Sequence, residues 1–442
     1  MVLLLAGATP VWANGRSPYT GQIALDPVNP AHWVVRTTYG LISTIDSGKS
    51  WQWICETAIG YEGNADPFVV ISKDGSILAT TPLGTKVSHD GGCDWQTPAD
   101  IKGENDGIDL VRDATDTASV LLLSRSIVGT DPNTPNLLRL FATHDNGKTW
   151  NVQGNPVALI ASPQTLEVAP SRPQRIYVSG ATDDLLAVST IWRSDDAGKS
   201  WIGLSVQGGA GGNSVTVTKA YIAAVAIQNP DQIYLRAQTS VGDQLWRSDD
   251  GGEHWQTIFS KAGNLYGFAQ SPDGAQIAVG VLGGVGGLWL AATKDPQFQK
   301  ANVFSALCLA WNGDGLYACA GEDEANMSLG RSTDNGATFF SLYKVRDLKV
   351  MQCPPSTRTG SLCPGKFPML QVLLGIEDTS PDPLPPPVAV PPTKTSMCAA
   401  ARVADGPCGV GLSLSILILA VGCWKRGQVL TLKSFKDLCV NT

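Results

Sequence analysis

The fold class this sequence predicts is all-β, built of seven four-stranded units. Three observations carry that prediction: a recurring turn, a strand–turn–strand signal ahead of each copy, and a composition rich in turn formers. The turn is clearest at Ser248-Asp249-Asp250-Gly251-Gly252-Glu253-His254-Trp255, with the outline Ser/Thr, any, Asp, any, Gly, any, any, aromatic. Its fixed positions recur as Asp46, Gly48 and Trp51, as Asp90, Gly92 and Trp95, and as Asp145, Gly147 and Trp150. They recur again as Asp196, Gly198 and Trp201, as Asp250, Gly252 and Trp255, and as Asp334, Gly336 and Phe339. A decayed copy, Thr293-Lys294-Asp295, keeps the hydroxyl and carboxylate but lacks the glycine and the aromatic. Counting it, the copies lie roughly 39–55 residues apart, a period that marks a solenoid, a propeller or an array.

The residue types of the turn explain themselves. The Asp accepts backbone N–H groups of its own loop, and the Ser/Thr hydroxyl does so more weakly. The Gly supplies a positive φ that a side chain would resist. The aromatic restarts a strand and buries a large apolar face between sheets. A calcium loop of EF-hand type would need more acidic ligands and a terminal Glu, so no metal is expected.

From Thr20 onward each unit opens with a short apolar run, a turn of Pro, Asp, Asn or Gly, and a second apolar run. Ile23-Ala24-Leu25 and Trp33-Val34-Val35 open the first unit, and Ala306 to Ala310 with Leu316-Tyr317-Ala318 open the seventh. Tyr266 to Ala269 and Ile277-Ala278-Val279 open the sixth, where the turn has decayed. With a third strand before the turn and a fourth after it, each unit has four strands. Short, evenly spaced strands indicate all-β closure. A lone unit cannot bury both faces, so the units stack around an axis as the blades of a seven-bladed β-propeller. Each blade is contiguous in sequence, so no strand exchange closes the ring, and a covalent or tail-mediated clasp is expected to help.

The repeated turn resembles the Asp-box, or BNR, repeat of sialidases, sortilin-type receptors, xyloglucanases and Ycf48-type photosystem assembly factors. In those families the box is the hairpin between the third and fourth strands of a blade. The resemblance covers about residues 20–345 and implies the fold. It does not imply one function, because the same box serves hydrolases, receptors and assembly factors.

The chain has 442 residues, 43% of them apolar, with 47 glycines, 28 prolines, 13 tryptophans and a net charge of −7. No basic stripe stands out, which argues against nucleic acid. Residues 1–13 read as a truncated signal peptide, ending in Val11-Trp12-Ala13. The propeller is expected over 20–348, a small Cys-containing extension over 349–377, and a Pro-rich linker over 378–397. Residues 398–442 hold a Cys loop, a short apolar segment from Gly409 to Trp424, and a basic end that begins at Lys425 and Arg426. That segment is short for a spanning helix, although the charges after it fit a cytoplasmic end. Cysteine, Pro-rich stalk, cysteine, apolar span and basic end together resemble the C-terminal sorting tails of myxobacterial surface proteins, which implies attachment to the envelope.

Cys308 and Cys319 lie equidistant from the turn at Gly313-Asp314, so a cross-strand bridge is expected. Cys353 with Cys363, and Cys398 with Cys408, are expected to close small loops, while Cys55 and Cys93 have no obvious mates. Such bridges belong to an oxidising compartment. The four histidines (His32, His89, His144 and His254) are scattered, so no zinc site or other cofactor is expected.

A glycoside hydrolase needs two carboxylates facing each other across the bond cleaved. The innermost strands, which line a propeller's channel, carry Asp109, Arg112 and Glu167, and second strands carry Arg36 and Arg236. The sialidase resemblance implies an Arg-Ile-Pro motif ahead of the first box, where this chain has Arg16-Ser17-Pro18. On the face opposite the turns, the connecting loops form an acidic rim of Glu56, Glu62, Asp66, Asp131, Asp183, Asp184, Glu322, Asp323 and Glu324. Such loops are where propellers recognise partners, and an acidic rim favours basic ones. The expected protein is an exported, monomeric, cell-surface propeller, tethered through its C-terminal segment, that binds a protein or glycan without catalysis. A sialidase-like glycoside hydrolase and a Ycf48-like assembly factor are the alternatives.

Overall fold

Seven antiparallel sheets follow one another along the chain in a computed structural model that describes residues 19–63, 65–104, 106–126, 137–157, 162–182, 188–207 and 216–376. Their innermost strands are Thr20–Leu25, Val69–Ile71, Asp106–Arg112, Ser162–Val168, Val217–Val225, Asn264–Gln270 and Cys308–Asn312. Each packs on the next, and the last packs on the first, which makes the sheets the blades of a propeller around a central channel. Blades three to seven have four strands in simple up-and-down order. In blade two, three strands are regular and the fourth is reduced to a bridge between Val87 and Gln96.

The repeated turns sit where expected, between third and fourth strands, and their chemistry is local. In the first, Thr44 Oγ1 donates to Asp46 Oδ1 (2.8 Å), and Gly48 N–H donates back to Thr44 Oγ1 (3.0 Å). Ser50 donates to the same carboxylate through its N–H (2.9 Å) and hydroxyl (2.6 Å). The residue before the Gly and the Gly itself both have positive φ, as at Ser47 (62°) and Gly48 (84°), the pairing that a tight hairpin turn needs. Trp51, Trp95 and Trp150 then bury their rings and donate Nε1–H to the carbonyls of Gly48, Gly92 and Gly147. Blade six forms without this network. Its decayed turn leads into Gln299–Asn302, and Phe298 packs edge-on against Phe259 at 4.9 Å.

Where blade seven meets blade one, the interface is aromatic. Trp33 meets Tyr317 edge-on (5.3 Å between centroids), Trp51 packs on Tyr343 (5.3 Å), and the Tyr39 and Tyr343 hydroxyls share a hydrogen bond (2.9 Å). The chain then crosses this seam. After the last strand of blade seven, Phe340–Tyr343, a fifth strand, Leu348–Val350, pairs in parallel outside Trp51–Ile54 of blade one.

The expected loop bridge between Cys353 and Cys363 is not what forms. Cys353 bonds to Cys93 in the repeated turn of blade two, and Cys363 bonds to Cys55 just after the last strand of blade one. Helix Arg358–Leu374 explains the difference, because it carries Cys363 away from Cys353 and lays it against blade one. There Arg358 donates to the carbonyls of Ala58 (2.8 Å) and Thr57 (3.0 Å), Thr359 Oγ1 donates to Gly92 O (2.6 Å), and Phe367 meets Trp53. Cys308 and Cys319 are bonded across the first hairpin of blade seven. Cys398 and Cys408, with the linker and the apolar segment, lie outside the described residues. Among the described residues no helix is long and apolar enough to cross a membrane.

Two predictions follow from this scaffold. Cys363→Ser should cost about 2–5 kcal/mol in denaturant unfolding, and non-reducing peptide mapping should recover Cys55 with Cys363 and Cys93 with Cys353. The second concerns acid. In Asp196 and Asp334 the side-chain hydroxyl bonds from Ser200 and Thr338 lead the causes that hold the carboxyl at about 2, against an ordinary 3.8. In Asp145 and Asp250 burial works the other way, but the bonds outweigh it and the values are also about 2. These depressed values make a stabilising contribution that is full above the ordinary carboxyl pKa and disappears as pH falls through the folded one. The melting temperature should therefore hold down to about pH 4 and drop between about pH 4 and 2.

Candidate functional site at the channel mouth

At the starts of the innermost strands, on the face opposite the repeated turns, the channel widens into a cavity of about 980 Å³. Asp109, Glu167, Arg36 and Arg236 all line it, so four of the five candidate residues come together here. Arg112 does not. It sits farther down its strand and donates to the carbonyls of Leu25 (3.1 Å) and Ile71 (2.7 Å), tying blade three to blades one and two.

The polar groups of the mouth follow one pattern. Each innermost strand presents backbone N–H groups to the preceding blade, and buried donors must find acceptors. Gln22 of blade one takes Val69 N–H (3.0 Å) and returns a bond to Val69 O (3.1 Å). Asp109 of blade three takes Leu166 N–H of blade four at 2.8 Å, and also its neighbour Leu110 N–H at 2.8 Å. Thr165 of blade four takes Ile222 N–H of blade five (2.9 Å), and Asp243 of blade five takes Leu265 N–H of blade six (3.0 Å). These side chains join blades.

Burial lifts the Asp109 carboxyl to about 7 in spite of its two N–H bonds and the charge of Arg36. Glu167 is pushed well above the usual carboxyl range, by burial first and by the neighbouring Asp109 second. Among the described residues its side chain makes no hydrogen bond or ion pair. Arg236 is held by Asp243 through two contacts of 3.0 Å, and its guanidinium lies 5.2 Å from the Tyr221 ring and 5.6 Å from the Tyr266 ring. Arg36 donates to the Gly21 carbonyl (3.1 Å) and lies over Phe68. Tyr266, 52% exposed, leaves an aromatic edge at the entrance.

The acidic loops are less uniform than their sequence implies. Glu322 accepts Ser328 Oγ (2.9 Å) and Val345 N–H (2.8 Å), and Glu324 accepts Ser305 N–H (2.8 Å), so both brace the blade-seven connection. Glu56 lies in the short helix Glu56–Ile59, Asp66 lines the mouth, and Glu62 and Asp323 are exposed. Asp131, Asp183 and Asp184 lie outside the described residues. Among the described residues no group of three or more acidic, His or Cys side chains is placed to hold a metal ion.

Sequence reasoning missed Asp243, Gln22, Thr165 and the Tyr221 and Tyr266 pair as residues of this site. Tyr266 opens an apolar run that reads as strand, and Asp243 follows a hairpin with nothing to mark it as buried.

No protein-family model matches the chain, and no curated protein matches it. Solved structures do match. A puromycin-hydrolyzing peptidase of Mycobacterium tuberculosis is 12% identical over 78% of this chain and 57% of its own, with a TM-score of 0.50. A GH74 xyloglucanase from Xanthomonas campestris is 13% identical over 72% of each chain (TM-score 0.30). YCF48 from Cyanidioschyzon merolae is 13% identical over 73% of this chain and 84% of its own (TM-score 0.37). At such identities the likeness shows the fold alone, and this chain spans 57% of the peptidase's length.

Asp109→Ala should leave Leu166 N–H without its partner and cost about 1–3 kcal/mol in urea unfolding. Asp109→Asn, whose amide oxygen still accepts, should cost less.

Proposed function

We propose that this protein is an exported, non-catalytic propeller that binds a protein or glycan partner through the channel mouth opposite the repeated turns. The observation that carries the reading is the engagement of Asp109. A glycosidase pair needs one carboxylate ionised and aimed at substrate while the other holds a proton. Here Asp109 spends both bonds on the backbone of blades three and four, and burial disfavours its ionised form. What remains is a rigid, concave, aromatic-edged recess held by neighbouring blades, which is the geometry of a binding site. Three disulfides fit an oxidising compartment. Attachment to the envelope through residues 398–442 belongs to the same proposal.

Glu167 beside Asp109 favours the hydrolase alternative, and one experiment separates the two. Full-length protein is applied to glycan, polysaccharide and peptide arrays, read for retention and for released sugar. Retention without release is expected, and Tyr266→Ala should weaken it by about tenfold. Sugar release that Glu167→Gln abolishes would establish the hydrolase instead.

A further inference from the structure

Building on the mouth as a binding site, we propose that it receives a basic side chain of a protein partner, a lysine or arginine. Its aliphatic stem would lie along the apolar part of the lining and its charged head on Glu167. A sugar presents several hydroxyls and needs a matching set of polar groups. Gln22, Asp109, Thr165 and Asp243 already hold backbone N–H groups of the next blade. The lining between them is apolar in part, with the exposed Tyr266 ring beside Leu309 and the nearly buried Leu110, Leu166 and Leu265. A long hydrocarbon stem with one charge at its end suits such a lining, as lysine and arginine stems do elsewhere.

The destination of that charge is Glu167. It faces the cavity from the innermost strand of blade four, without a hydrogen bond or ion pair among the described residues. The groups around it are Asp109 on blade three, Tyr221 and the Arg236–Asp243 pair on blade five, and Arg36 on blade one. Asp243 offsets Arg236, and Arg36 is held against Phe68 and the Gly21 carbonyl. Burial, and after it the like charge of the neighbouring Asp109, drive the Glu167 pKa up. Arg36 bears on Asp109, whereas Glu167 stands beside a like charge with no ion pair among the described residues, which an incoming ammonium or guanidinium would relieve. The sign of the pH effect follows. Free Glu167 favours its proton, while the bound cation requires the carboxylate. Binding therefore releases a proton, and affinity rises with pH through the raised Glu167 pKa.

The test uses full-length protein and an array of lysine- and arginine-containing peptides, each beside its lysine-acetylated or citrulline counterpart, followed by titration of the best binder across pH. Acetylation or citrullination is expected to weaken binding by about tenfold or more, and Glu167→Gln should do the same while removing the rise with pH. Unfolding curves confirm that each variant is folded. If Tyr266→Ala loses binding while Glu167→Gln retains it, the inference fails and the mouth stands as the site. Retention of neutral glycans unchanged by Glu167→Gln also overturns it. If neither substitution matters, the reading of the mouth as the site falls with it.

Discussion

Closing the ring is the constraint on which this structure depends. Seven meanders, each contiguous in sequence, must be brought round so that the last buries its face against the first, and the one strand that crosses the join, contrary to the expectation of no exchange, adds only at the outer edge of blade one. The seam is made of four large, buried aromatic side chains, Trp33, Trp51, Tyr317 and Tyr343. The segment after blade seven then runs on across it. Strand Leu348–Val350 extends blade one, and the two long-range disulfides fix the following helix to blades one and two. Non-directional apolar contact brings the seam together, and directional bonds hold its register.

The same demand for closure shapes the channel mouth. At four of the seven junctions between innermost strands, a backbone donor would be left unpaired, and a side chain from the preceding blade answers it. These are the polar residues that look like chemistry in the sequence: an Asp here, a Thr or Gln there. Once they are engaged, the mouth keeps a partly apolar lining, aromatic edges and Glu167. Its character as a recess comes from what the scaffold has already used. On the other face the repeated turns are saturated by their own Asp and Ser/Thr bonds, which leaves them as rigid corners.

The fold was legible in the sequence because its signal is periodic. Six copies of one turn, each with its own local bonding, and a decayed seventh at Thr293 that fell inside a regular blade, state the blade count without any long-range information. The hairpin bridge from Cys308 to Cys319 was equally local. The pairing of Cys353 and Cys363 was misread for the opposite reason. Their spacing of ten residues suggested a small loop, but their partners lie 260 and 308 residues upstream, and only the docked helix reveals them. At the site, Asp109, Glu167, Arg36 and Arg236 were findable as charges on inner strands. That Asp109 faces a neighbouring backbone amide, and that Asp243 and Gln22 do similar work, depends on how adjacent blades meet. No pattern within a single blade records that.

The bond between Cys55 and Cys363 also alters what a broken chain means for this molecule. It makes the stretch between those residues a covalent circle containing blades two to seven. A single proteolytic cut in any loop of that circle opens the circle without separating the pieces, and the blades on either side keep their neighbours. Loss of a blade requires two cuts. A protein held in this way can be nicked between blades by proteases and remain one particle, its channel mouth still framed by all seven blades.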